Sequence, residues 1–187
     1  MKIAIILVCL LPGQAFAHVG PFDGSPFLTG LIHPFTGMDH VAAMIAVGIW
    51  STLVLRNAWS VPLVFASLLL IGGLIGFSGI TLPAVEHMIA LSVLVTGMLL
   101  AQKIPLAPAV GLPLIGLFGI FHGVAHGSEM SSSQMIPALA GMTIGTWILH
   151  FTGMGLGLVL HQRPMWLGRA LGGGISLLGA AFLFSAF

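Results

Sequence analysis

The sequence predicts an all-α membrane protein, a bundle of six transmembrane helices after a cleaved signal peptide, with the mature N-terminus and the C-terminus periplasmic. Three observations predict it. Of the 187 residues, 58% are hydrophobic and only 5% charged, whereas a soluble domain carries roughly 25% charged residues. The mean hydropathy of +1.15 implies more apolar side chain than one small core can hide, so lipid must solvate the remainder. The apolar residues also fall into six stretches, each near the ~20 residues that a hydrocarbon core about 30 Å thick demands.

The first element is the signal. Residues 1–17 combine a basic start at Lys2, an apolar run from Ile3 to Leu11, a breaking Pro12-Gly13 and a closing Ala15-Phe16-Ala17, the layout of a secretory leader with an A-x-A cleavage site. The mature chain then begins at His18 and forms one six-helix domain over 18–187. Cys9, the single cysteine, leaves with the leader, which removes disulfides, thiolate ligands and cysteine nucleophiles together.

Six helices follow, expected at 38–55, 61–80, 85–102, 108–127, 136–160 and 166–186, placed by length and punctuation because the hydrophobicity is too continuous for a period to show. Pro62, Pro83, Pro108 and Pro137 stand at or near helix starts, where a missing N–H does no harm. Pro34 and Gly37 predict a re-entrant turn ahead of the first helix. With the mature N-terminus outside, connections one, three and five hold Arg56, Lys103, and Arg163 with Arg169, so every basic residue of the mature chain lies inside, as the positive-inside rule requires. The acids Asp23, Asp39, Glu86 and Glu129 all fall outside. Trp50, Trp59 and Trp166 read as interface anchors. Gly48, Gly72, Gly73, Gly76, Gly97, Gly145, Gly153, Gly155, Gly157 and Gly172 to Gly174 suit close helix packing in lipid. The Gly72-to-Gly76 unit reads as packing within the bundle, with a homo-oligomer left open.

Composition excludes two classes of partner. The net charge is +1 and the bases are dispersed, without the basic patch of a nucleic-acid binder. Lys2 and Lys103 are the only lysines, neither lies in a G-x-x-x-x-G-K-[ST] setting, and ATP is therefore no substrate.

Ionisable groups are expensive inside a membrane, so their positions carry function. His33, Asp39 and His40 open the first helix, Glu86 and His87 open the third, and His122, His126 and Glu129 close the fourth. Under the predicted topology all eight converge in the periplasmic half of the bundle. His122 and His126 are i,i+4 neighbours and Glu129 is i+3 from His126, so the three share a helix face and can bind a divalent metal. Asp39 can ligate directly or hold a histidine's second nitrogen. His18 reads as an interfacial residue and so does His161, whereas His150, in mid-helix, stands between a relay position and a hydrogen-bonded packing residue. Most of the ten methionines read as packing; Met38, inside the first cluster, is the one placed to ligate.

The stretch His33-Pro34-Phe35-Thr36-Gly37-Met38-Asp39-His40 resembles the H-P-x-x-G-x-D-H signature of the HupE/UreJ family of nickel and cobalt permeases. Phe121-His122-Gly123-Val124-Ala125-His126-Gly127-Ser128-Glu129 resembles its second signature, F-H-G-x-A-x-G-x-E. The resemblance extends over essentially the whole chain. It implies a secondary permease of the bacterial inner membrane serving urease or hydrogenase maturation, with His33, Asp39, His40, His122 and Glu129 as functional positions and Ni2+ or Co2+ as cargo. No prosthetic group is implied. His126 occupies a variable position of the second signature, so its role, like those of Glu86 and His87, rests on the reading of the residues alone. The competing expectation is an intramembrane zinc hydrolase built on the same His/carboxylate cluster; it lacks the H-E-x-x-H motif, because Gly123 follows His122.

Overall fold

A computed structural model describes residues 25–129 and 135–186. The signal-peptide reading of 1–17, with Lys2 and Cys9, and the expectations for His18 and Asp23 lie outside the described residues. Seven α-helices are described: α1 (Pro26–Ile32), α2 (Met38–Val54), α3 (Ser60–Phe77), α4 (Val85–Gln102), α5 (Pro108–Glu129), α6 (Met135–His161) and α7 (Met165–Ser185). Helices α3 to α7 are each long and apolar enough to cross a membrane, and α1 with α2 makes a sixth such unit if the bent pair is one span.

The sequence reading has no helix at Pro26–Ile32. Seven residues are too few to show as a hydropathy segment, yet local chemistry starts the helix: Ser25 caps it by accepting from the Leu28 N–H, and Pro26 occupies the first turn. A single 3₁₀ turn, His33–Phe35, follows. Gly37, extended at φ −97° and ψ 122°, then caps α2, and the chain bends by 74° between Pro26–Phe35 and Met38–Val54. The break expected from Pro34 and Gly37 is therefore present, and it sets His33 and His40 on two differently directed pieces of backbone.

Helix α2 is the centre of the bundle. Ala43, Met44, Ala46, Val47, Gly48, Ile49, Trp50 and Ser51 are consecutive or nearly so and all buried, the mark of a helix enclosed on every side. Trp50 corrects the interface-anchor expectation: it is wholly buried and donates its indole N–H to the Ile104 carbonyl at 3.0 Å, tying α2 to the connection after α4. Trp59 and Trp166 are exposed at helix starts. Helix α7 is peripheral, with Gly168, Gly172, Ile175 and Gly179 its buried residues. Leu63, Ile71, Ile148, Leu158, Leu177 and Phe184 face outward from α3, α6 and α7, a surface suited to acyl chains.

Glycines set the register between helices. Successive contacts of Gly119, Gly123 and Gly127 with Phe65, Leu69 and Gly73 run in step, so α3 and α5 are parallel; Gly48 against His150 and Gly157 against Ile49 place α2 parallel to α6. Gly97 and Gly172, with Gly179 against Leu94, pair α4 antiparallel to α7. Spans of alternating direction follow. The starts of α2, α4 and α6 share one end with the finish of α5, so Asp39, Glu86 and Glu129 lie at that end and Arg56, Lys103 and Arg163 at the other. Arg169 belongs within the start of α7 and not in the connection. Gly72 and Gly76 pack on α5 inside the bundle, whereas a Cβ at Gly155, Gly173 or Gly174 would meet nothing within 4 Å among the described residues, so these three do not set contacts between the described helices. A cavity of about 300 Å³ opens at the basic end, walled by Trp50, Arg56, Pro105 and Leu112 among others, with no histidine in its wall.

Candidate metal centre

The second motif alternates chemistry with close contact. A Cβ on Gly123 would meet the Leu69 carbonyl oxygen, and one on Gly127 the Gly73 carbonyl oxygen, so these glycines let α5 lie backbone to backbone against α3. That contact fixes the rotation of α5, and with it the direction of the neighbouring His122 and His126.

Four imidazoles from three backbone segments are thereby brought into contact. His33, from the 3₁₀ turn, meets His126 with ring centroids 4.5 Å apart. His126 meets His40, at the start of α2, at 4.3 Å, and His40 meets His122 at 4.7 Å. At the open end the Glu129 carboxylate lies 3.2 Å from His33 Nε2. Ligand atoms of His33, His126 and Glu129 all fall within 4.8 Å of one another, close enough for one cation to bridge them after small side-chain adjustment.

The cluster is graded in depth. Side-chain exposure falls from 41% at Glu129 to 18% at His33 and 12% at His40, and the residues are 2% exposed at His126 and 0% at His122. A cation arriving at Glu129 would exchange water for ligands stepwise. Among the described residues, His40 Nε2, both nitrogens of His122, and His126 Nε2 have no hydrogen-bond partner. Several bare imidazole nitrogens buried together are costly unless a ligand satisfies them, and nitrogen donors of this kind suit nickel, cobalt, zinc or copper better than magnesium or calcium.

Asp39 takes the second of its two expected roles in this geometry. Its Oδ1 accepts from both the backbone N–H and the ring Nδ1–H of His40, at 2.8 and 2.7 Å. Because a carboxylate accepts, the Nδ1 proton is held there and Nε2 is left as a lone pair toward the cluster.

The remaining expected residues stand at the rim. Glu86, exposed, and His87, half-buried, open α4 and do not belong to the set whose ligand atoms lie within 4.8 Å; Glu86 is within electrostatic range of Asp39, Glu129 and His40. Helix α4 packs mainly on α7 and α2, so its first turn reaches the edge of the imidazole column. Met38 is 65% exposed, at the mouth and not in the interior. His161 is exposed at the end of α6.

Two further buried residues have no signal in the motifs. Phe65 of α3 is buried and lies edge-on to His122 at 5.4 Å and to His150 at 5.2 Å. Thr146, wholly buried, precedes His150 by one helical turn, and that i,i+4 spacing is the only trace of it in the sequence.

Comparisons with known proteins identify relatives of the chain. The family model described as HupE / UreJ protein matches residues 6–182. Protein HupE of Rhizobium leguminosarum bv. viciae is 42% identical over 187 residues, covering 97% of each chain. No solved structure matches the chain. With the match spanning both motifs and reaching into the last described helix, this multi-pass membrane protein belongs to the HupE/UreJ family.

Proposed function

We propose that the chain is a secondary permease of the bacterial inner membrane that carries a divalent transition metal, nickel first and cobalt second, from periplasm to cytoplasm for urease or hydrogenase maturation. The observation that carries this reading is the column of touching imidazoles, which begins at the part-exposed Glu129–His33 pair and reaches the fully buried His122, whose two ring nitrogens have no hydrogen-bond partner among the described residues. A catalytic metal needs one fixed position; a column of donors of decreasing exposure suits an ion that moves. The metal is cargo, held by His33, His40, His122, His126 and Glu129, with Asp39 orienting His40 and Glu86 and His87 at the entrance.

The acidic end faces the periplasm and the basic end the cytoplasm. Two positive charges crossing 100 mV, inside negative, gain about 4.6 kcal/mol, so no ATP is required. Cells carrying His33→Ala or Glu129→Ala, at wild-type abundance in the membrane, should accumulate radioactive nickel at least about tenfold more slowly, as expected when a coordination shell is disrupted; equal accumulation refutes the reading. Purified protein in liposomes should load the lumen with nickel while hydrolysing neither lipid nor peptide, which separates the permease from the hydrolase.

A further inference from the structure

Below His122 the column does not end in apolar packing. His150 of α6 is fully buried, and its Nδ1 lies 3.0 Å from the Met44 carbonyl oxygen of α2. A carbonyl can only accept, so Nδ1 carries the proton and Nε2 is an unprotonated lone pair. Nε2 has no partner among the described residues. His40 shows the same arrangement in the outer cluster, one nitrogen anchored on Asp39 and the other without a partner among the described residues.

Thr146, one turn earlier on α6, behaves unlike the other helical threonines. Thr52, Thr96, Thr143 and Thr152 each donate the hydroxyl to the carbonyl four residues before, the usual way to satisfy this group inside a helix. The Thr146 hydroxyl, buried to 0% exposure, makes no such bond and has no partner among the described residues. Two polar atoms without a partner among the described residues thus lie one turn apart on the same helix, with the aromatic rings of Phe65 and Trp147 5.2 and 6.2 Å from the His150 ring.

We propose that His150 Nε2 and Thr146 Oγ1 form a second, inner coordination position for the transported cation, which receives it from His122 past the edge of Phe65. This rests on the permease reading above. One imidazole and one neutral hydroxyl make a weaker set than the outer histidines with Glu129, and water carried by the ion fills the remaining positions. A loosely held inner stop lets the ion leave toward the cytoplasm instead of remaining in the outer cluster.

The test uses the full chain in liposomes with an inside-negative potential and Ni2+ as the only probe, measuring influx of radioactive nickel alongside equilibrium nickel binding. In His150→Asn the amide nitrogen occupies the place of Nδ1 and keeps the bond to Met44, while the Nε2 donor is lost. Binding should stay within about twofold of wild type, because the outer ligands remain, and influx should fall at least about tenfold, the loss typical of removing one ligand's contribution. Thr146→Val, which preserves shape and removes the hydroxyl, should lower influx in the same direction with binding unchanged. Influx in His150→Asn equal to wild type overturns the inner position. So does loss of binding together with influx, because His150 would then only support the outer cluster. Wild-type liposomes that accumulate no nickel overturn the permease reading itself, whereas failure confined to the α6 variants leaves that reading standing.

Discussion

Replacing Gly123 by alanine inserts a single methyl group where α5 touches α3. That methyl carbon would lie against the Leu69 carbonyl oxygen, 2.7 Å from the Gly73 nitrogen and 2.9 Å from the Gly72 carbonyl carbon. All three neighbours are backbone atoms and cannot turn aside as a side chain can. Restoring contacts of about 3.5 Å requires the helices to part by roughly 1 Å, with an overpacking penalty of about 1–3 kcal/mol. The functional effect should exceed the loss of stability. Metal–ligand distances are useful only within about 0.2 Å, and His122 and His126 flank this contact on the same helix, so a 1 Å displacement of α5 moves both relative to His33 and His40. Expected is a variant that inserts normally, melts a few degrees earlier and takes up nickel at least about tenfold more slowly, in line with the loss seen when ligand geometry is disturbed. Radioactive nickel uptake, normalised to membrane abundance, measures it. Gly155→Ala is the matched control, because a Cβ there meets nothing within 4 Å. Wild-type uptake by Gly123→Ala, or an equal defect in Gly155→Ala, refutes the claim that the glycine contact sets the histidine geometry.

Asp39→Asn removes the charge that anchors His40 Nδ1 and should weaken nickel binding by about 10- to 100-fold, read by titration of the purified protein. Trp50→Phe removes the indole hydrogen bond to the part-buried Ile104 carbonyl and should destabilise the fold by about 0.5–1.5 kcal/mol, seen as a lower thermal midpoint with nickel binding retained, since Trp50 lies outside the imidazole column. A cysteine placed at Thr81 should react with an impermeant maleimide in intact cells and one at Asn57 only after lysis; the reverse pattern would invert the proposed orientation.

The two helices expected at 85–102 and 38–55 match Val85–Gln102 and, within a residue, Met38–Val54, because an apolar solvent of set thickness leaves length and punctuation as enough information. The break at Pro34–Gly37 was equally legible, since proline fixes its own φ and lacks an N–H while glycine tolerates the conformations a helix interior excludes, both of them local effects. Helix α1 was not, because it is short and seated on α6 by Gly30 against Ala138 and Gly141 against Phe27, contacts between segments far apart in the chain. Trp50 shows the same limit: its indole looks identical in sequence whether it meets the lipid interface or the Ile104 carbonyl.

For the candidate site, the spacing of His122, His126 and Glu129 and the cost of charge in lipid determined that titratable groups gather at one end of the bundle. Their order in depth, the anchoring of His40 by Asp39 and the company that His150 and Thr146 keep were decided only when glycines let particular helices touch. Hydropathy depends on a residue's own contact with its solvent and can be read one position at a time. Coordination geometry depends on how closely two backbones approach, a property of pairs of helices that no single stretch of chain contains.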